Sequence, residues 1–189
     1  MPPRVKFSRE EIIAAALDIV RRGGMAALTA RSLAAELGSS AKPVFGLFEN
    51  MQEVQDKVVR AANAEYQSFL RAEMMRGAYP PYKASGMAYI AFARQEKELF
   101  KLLFMRDRTE EDSETEDESI DGIIALISRN TGLSNEDARL FHLEMWIFVH
   151  GIATMIVTGY LDWEEEYVSR TLTDVYEGLK ARWCGGNGK

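Results

Sequence analysis

Apolar residues recur at three- and four-residue intervals along most of the chain, and no stretch alternates with the two-residue period of a half-buried strand. The first such run, Ile12, Ile13, Ala16, Leu17 and Val20, predicts a helix opening at Ser8, with Glu11 completing a capping box, Phe7 stapling to Ile12, and Gly23-Gly24 stopping it by Arg22. Thr29 caps a second, short helix carrying Leu33, Ala34 and Leu37, and Gly38 ends it. Ser40 caps a third over 41–48, where Pro43 is tolerated in the first turn and Val44 and Phe48 read as core. Two short helices separated by residues 38–40 read as a helix-turn-helix.

Asn50 with Glu53 begins a longer helix through Val54, Val58, Ala61, Ala62, Tyr66, Phe69 and Leu70, which stops at Gly77 ahead of Pro80-Pro81. Helical patterns follow at about 82–95, 98–105, 120–130, 134–158 and 164–183. Between them, residues 109–118 are almost all acids and hydroxyls and read as a solvated loop, while 185–188 read as a frayed tail. The fold class is therefore all-α. A three-helix module over residues 1–50 precedes a larger helical domain over 51–184.

Composition narrows the function classes. With 47% hydrophobic residues in 189, the chain can bury a core. Its single cysteine, Cys184, makes no internal disulfide, and the first residues lack the apolar run of a secretory signal, so a cytoplasmic location is expected. The apolar stretch 145–161 is short for a membrane span, contains His150, Gly151 and Gly159, and is edged by Glu144 and Asp162; a helix buried on most sides explains it better. Net charge is −6, yet residues 1–50 hold seven Lys/Arg against five acids, a surplus of +2 that leaves −8 for the rest. A basic end thus precedes an acidic body, which suits phosphate contact at one end only.

Ile12, Ala16 and Leu17, then Gly24, Leu28-Thr29, Arg31, Leu33-Ala34, Leu37-Gly38, Ser40, Phe45, Phe48 and Val54, carry a family resemblance. Residues 1–54 resemble the N-terminal DNA-binding domain of the tetracycline-repressor (TetR) family of transcriptional regulators. Trp146 and His150-Gly151 are similar to a pattern in some branches of that family. The resemblance implies a dimeric, ligand-responsive repressor on a palindromic operator, with Thr29 and Arg31 touching DNA phosphates. The helix-turn-helix reading adds Ser39, Ser40 and Lys42 near base edges or phosphates. Phe45 stands where the family usually has tyrosine, and Met51 where it usually has lysine; both usual residues hold phosphates. Phe45 stays in the candidate set for its position. The competing reading of this segment is a helical hairpin used only for packing.

In the larger domain Tyr66, Phe69, Tyr89, Phe92, Phe104, His142 and Trp146 are candidates for lining an effector pocket, against ordinary core packing. The long helix over 138–158 is apolar on more faces than one core contact uses, so a second protomer is its expected cover. Gly151, Ile152, Met155, Ile156, Leu172, Val175, Tyr176 and Leu179 are the candidate dimer contacts, the alternative being a fully intramolecular core. His142 and His150 lie on one side of a helix without the spacing of a zinc or di-iron motif, so no metal is expected. No nucleophile–base pair or phosphate loop is present, which leaves no catalytic candidate and no cofactor. A helical enzyme or hydrophobic-ligand carrier with a vestigial helix-turn-helix is the competing class.

Overall fold

Four of the helix starts named above, at Ser8, Thr29, Asn50 and Ser134, carry hydrogen-bonded caps. The computed structural model describes residues 7–107 and 117–185. In it α1 (Arg9–Gly23) has the full capping box, with Ser8 Oγ accepting from the Glu11 N–H and the Glu11 carboxylate accepting from the Ser8 N–H. Thr29 caps α2 (Ala30–Glu36) through the Ser32 N–H at 3.0 Å, and Ser32 Oγ accepts the Thr29 N–H in return. Asn50 Oδ1 accepts from Glu53 N–H at the head of α4 (Met51–Met75). Ser134 does the same through Asp137 N–H for α8 (Asn135–Val157). The remaining helices are α3 (Lys42–Phe45), α5 (Pro81–Gln95), α6 (Lys97–Phe104), α7 (Asp117–Thr131) and α9 (Glu165–Gly185). No strand occurs among the described residues.

The turn between α2 and α3 follows from one glycine. Gly38 takes φ +56°, where a side chain is strained, and this lets Ser39 N–H reach Ala34 O at 2.9 Å and Gly38 N–H reach Ala35 O at 3.0 Å. The third helix is shorter than its apolar pattern predicts. Only Lys42–Phe45 is α-helix, and its cap position is Ala41, without a side-chain bond, rather than Ser40. Pro43 supplies no N–H and Gly46 follows Phe45, so the expected span continues as a turn in which Phe48 N–H still reaches Val44 O at 2.9 Å. Val44 and Phe48 are buried, as their spacing predicted.

The chain divides into two compact units. The first comprises residues 7–68 together with Glu96–Arg106; the second comprises Phe69–Gln95 and the described residues from 107 onward. The boundary expected at 50/51 therefore differs from the observed division: most of α4 and all of α6 belong with the helix-turn-helix. The physical reason is that α1 packs on α6 as well as on α2, and Leu99 and Phe100 of α6 are fully buried. In the second unit α5 and α8 form the central pair, α7 lies on α8, and α9 lies on both α5 and α8. Gly86 permits that approach, since a Cβ there would stand 3.4 Å from Val149 and 3.7 Å from Leu172. Phe92, Phe141 and Ile127 are the largest fully buried side chains here, each contributing about 1.5–3 kcal/mol by leaving water.

The expected acidic loop at 109–118, the tail at 186–188, and Arg4 and Lys6 lie outside the described residues, apart from the head of α7.

Candidate functional site

Charge accounting in the first unit isolates a small surface. Arg9 donates to Leu47 O and to Glu53, and its guanidinium lies 4.3 Å from the centre of the Phe48 ring. The Glu53 carboxyl is held below the usual carboxylate range by the Glu49 N–H and by Arg9, so it is ionised and neutralises that arginine. Arg21 is surrounded by Asp18 at 2.7 Å, Glu96 at 3.0 Å and Glu65. Arg22 meets Glu36 at 2.6 Å. Partly exposed pairs of this kind are worth about 0–1 kcal/mol each, so their main effect is to cancel charge and fix geometry. Among the described residues of 7–50, only Arg31 and Lys42 carry no carboxylate partner, and both are exposed.

The structure puts the other predicted contacts on the same two helices and their turn. Thr29 and Arg31 occupy the start of α2, Ser39 and Ser40 the turn, and Lys42 and Phe45 the short α3. The hydroxyls of Ser39 and Ser40 make no bond to the protein among the described residues. Phe45 is 47% exposed although its neighbour Val44 is buried, so an apolar ring stands in solvent on the same short helix as Lys42. Met51 opens α4 and is half-buried.

The ring residues proposed for an effector fall into separate clusters. Tyr66 and Phe104 belong to the first unit, meeting edge-on at 5.0 Å. Phe69 meets Phe92 edge-on at 5.5 Å in the second. His142 Nδ1 shares a hydrogen bond with Tyr82 O–H at 3.0 Å, and His150 Nδ1 with Tyr89 O–H at 2.9 Å, while Trp146 stacks flat on His150. None of the seven candidates lines the cavity of about 220 Å³ that the second unit contains. That cavity sits among the end of α4, one side of α5 and the start of α9. Its walls include Ala84, Ala88, Ala91, Arg94 and Glu165, and the alanines that make the space carried no aromatic signal.

Both histidines are pushed below the usual imidazole range by burial. The unfolded chain therefore binds the extra protons. Their contribution to stability is complete above about pH 6.5 and is lost as pH falls through the folded-state values. We expect the urea midpoint to drop between pH 7.5 and pH 5.5. The drop should shrink in a His142→Gln, His150→Gln double variant. An unchanged difference in that variant would assign the pH effect elsewhere.

The predicted dimer contacts divide by burial. Ile152, Ile156 and Leu172 are about 3% exposed and form part of this protomer's own core, whereas Met155, Val175, Tyr176 and Leu179 are half-buried. Tyr176 packs on Phe141 and Tyr82. A Cβ on Gly151 would meet nothing within 4 Å. The exposed large apolar residues of α8 are instead Leu140, Leu143, Trp146 and Ile147, at 48%, 50%, 41% and 59%. By composition α8 is long enough to cross a membrane, but its buried side packs on α5, α7 and α9.

A helix-turn-helix joined to an all-helical second unit defines a helix-turn-helix regulator class. Residues 82–176 match the family model of the tetracyclin repressor-like C-terminal domain. The chain belongs to the TetR family of transcriptional regulators. It is 27% identical over 169 residues to Rv0681, an uncharacterized HTH-type transcriptional regulator of Mycobacterium tuberculosis, covering 83% of this chain and 73% of that one. Its fold matches a TetR-like transcriptional regulator from Rhodococcus sp. RHA1, with TM-score 0.61, 15% identity and complete coverage of both chains. It also matches the multidrug binding protein EbrR complexed with malachite green, with TM-score 0.59, 20% identity, and 92% and 98% coverage. The family, Rv0681 and the Rhodococcus protein are transcriptional regulators rather than enzymes.

Proposed function

We propose that this protein acts in the cytoplasm as a homodimeric repressor that grips a palindromic operator through α2 and α3 and releases it when a small molecule occupies the second unit. The observation that carries the DNA part is the pair of unneutralised cations, Arg31 and Lys42, set beside Thr29, Ser39, Ser40 and exposed Phe45. Arg31 and Thr29 take phosphates; Lys42 and the serines lie over base edges or phosphates; Phe45 offers its ring to sugar or thymine methyl. The dimer is supported by the exposed stripe of Leu140, Leu143 and Ile147, continued by half-buried Gly151, which lies opposite the buried side of α8 and suits a second copy of itself. Ligand-dependent release works through whichever dimer geometry the effector binds better, since the two recognition helices must match successive major grooves about 34 Å apart.

Sequencing the genomic DNA that the purified protein retains tests this reading. A palindromic motif is expected, and Lys42→Ala should weaken binding to it by about 1–3 kcal/mol while leaving the melting temperature alone. Retention of no specific fragment would favour the carrier with a vestigial helix-turn-helix.

A further inference from the structure

α3 is only four residues long, so its own backbone bonds do little to fix where it points. The turn that follows it carries the restraints, and every residue of that turn from Leu47 to Asn50 is engaged by one ion pair. Arg9, in the first turn of α1, donates Nη1 to Leu47 O at 2.5 Å, lies 4.3 Å from the centre of the Phe48 ring, and donates Nη2 to Glu53 Oε1. Glu53 accepts the Glu49 N–H at Oε2, at 2.8 Å, and donates its own N–H to Asn50 Oδ1 at 2.9 Å. Leu47 and Phe48 pass the restraint back to α3, because their N–H groups reach Val44 O at 3.0 Å and 2.9 Å. The Arg9 and Glu53 side chains are 44% and 29% exposed, and a pair so open to water adds little to stability. Its main effect is on geometry.

We infer that Arg9 is a positioning residue for DNA binding: with Glu53 it clamps the turn between α3 and α4 and so aims Lys42 and the rest of α3 at the groove, without touching a phosphate itself. This rests on the DNA-binding reading above and adds to it a residue that acts through others. Both terminal nitrogens of Arg9 already donate within the protein, which separates it from Arg31 and Lys42, the cations without a carboxylate partner. A lysine at this position would keep the charge but lose the planar fork that reaches Leu47 O and Glu53 together.

Two measurements on the full-length protein test it, the first without DNA. In hydrogen exchange, Arg9→Lys should speed the amides of residues 47–49 at least about fivefold while α8 exchanges as in the parent. On the genomic fragment that the parent retains, Arg9→Lys and Glu53→Gln should each weaken binding at least about fivefold, and the double variant no more than about twofold further, since both break one clamp. The sign for Glu53→Gln is decisive, because removing a carboxylate from the DNA-binding unit would tighten binding if charge alone mattered. Arg9→Met should weaken binding and leave the slope of log K against log salt at the parent's value, where loss of a phosphate contact would lower it by about 0.9 per protomer. Parent-like exchange at 47–49 in Arg9→Lys would overturn the clamp. Glu53→Gln binding as tightly as the parent, or a lowered slope in Arg9→Met, would overturn the positioning role. Lys42→Ala scores the DNA reading separately: if it weakens binding while the Arg9 and Glu53 variants do not, that reading stands and the positioning role falls. If the parent retains no fragment, the regulator reading falls and takes the positioning role with it, and hydrogen exchange still decides whether the clamp exists.

Discussion

Ile156→Glu should severely destabilise the folded protomer, whereas Ile147→Glu should leave the protomer folded and weaken its dimer. The two residues lie nine apart on α8 and are chemically identical, so the contrast isolates which side of the helix each one occupies. Ile156 is 3% exposed within its own protomer, on the side that packs against α5. A carboxylate there has no partner, and burying it costs about 3–5 kcal/mol, against a total stability of about 5–15 kcal/mol. Ile147 is 59% exposed, so its replacement should change protomer stability by no more than about 0.5 kcal/mol. In a dimer formed across that side, each protomer would bury the new charge, raising the dissociation constant at least about tenfold. Circular dichroism reads the first effect and sedimentation the second. A wild-type monomer at micromolar concentration, or an Ile147→Glu dimer as tight as wild type, would remove this face of α8 from the interface.

Met51→Lys should tighten operator binding and steepen its salt dependence. Met51 opens α4, where the thioether neither neutralises a phosphate nor releases a counterion. One new phosphate contact per protomer adds about 0.9 to the slope of log K against log salt, or about 1.8 for the dimer. Phe45→Tyr, on α3, should add only a neutral hydrogen bond worth about 0.5–1.5 kcal/mol and leave the slope where it was. Titrating one operator fragment at several salt concentrations separates the two variants. Equal slopes for Met51→Lys and wild type would mean that the head of α4 does not approach DNA.

The helix starts were legible because caps are local: Ser8 with Glu11, Thr29 with Ser32, and Asn50 with Glu53 each close within three residues. The third helix is shorter than its apolar spacing predicts, because that spacing registers Val44 and Phe48 as core without registering that Gly46 loosens the chain between them. Periodicity identified α8 as apolar on two sides but could not say which side faces inward. That choice is made by α5 and α7, which periodicity within α8 does not register, so Ile152 and Ile156 read as outward in the sequence but are buried in the core. The cavity was invisible for a related reason. Its space comes from alanines, which read as ordinary helix formers, and its rim comes from Glu73, Arg76, Arg94 and Glu165, which look like solvated charges until three helices bring them together.

Because the first compact unit is discontinuous, the helix-turn-helix is not a detachable cassette. A fragment ending at residue 50 would leave α1 without α6, taking away the buried Leu99 and Phe100 that complete its packing. Even a cut at residue 68 removes Glu96, one of the three carboxylates that hold Arg21. Grafting a new sensor onto this DNA reader would therefore require three splice points, at 68/69, 95/96 and 106/107, with α6 travelling as part of the reader.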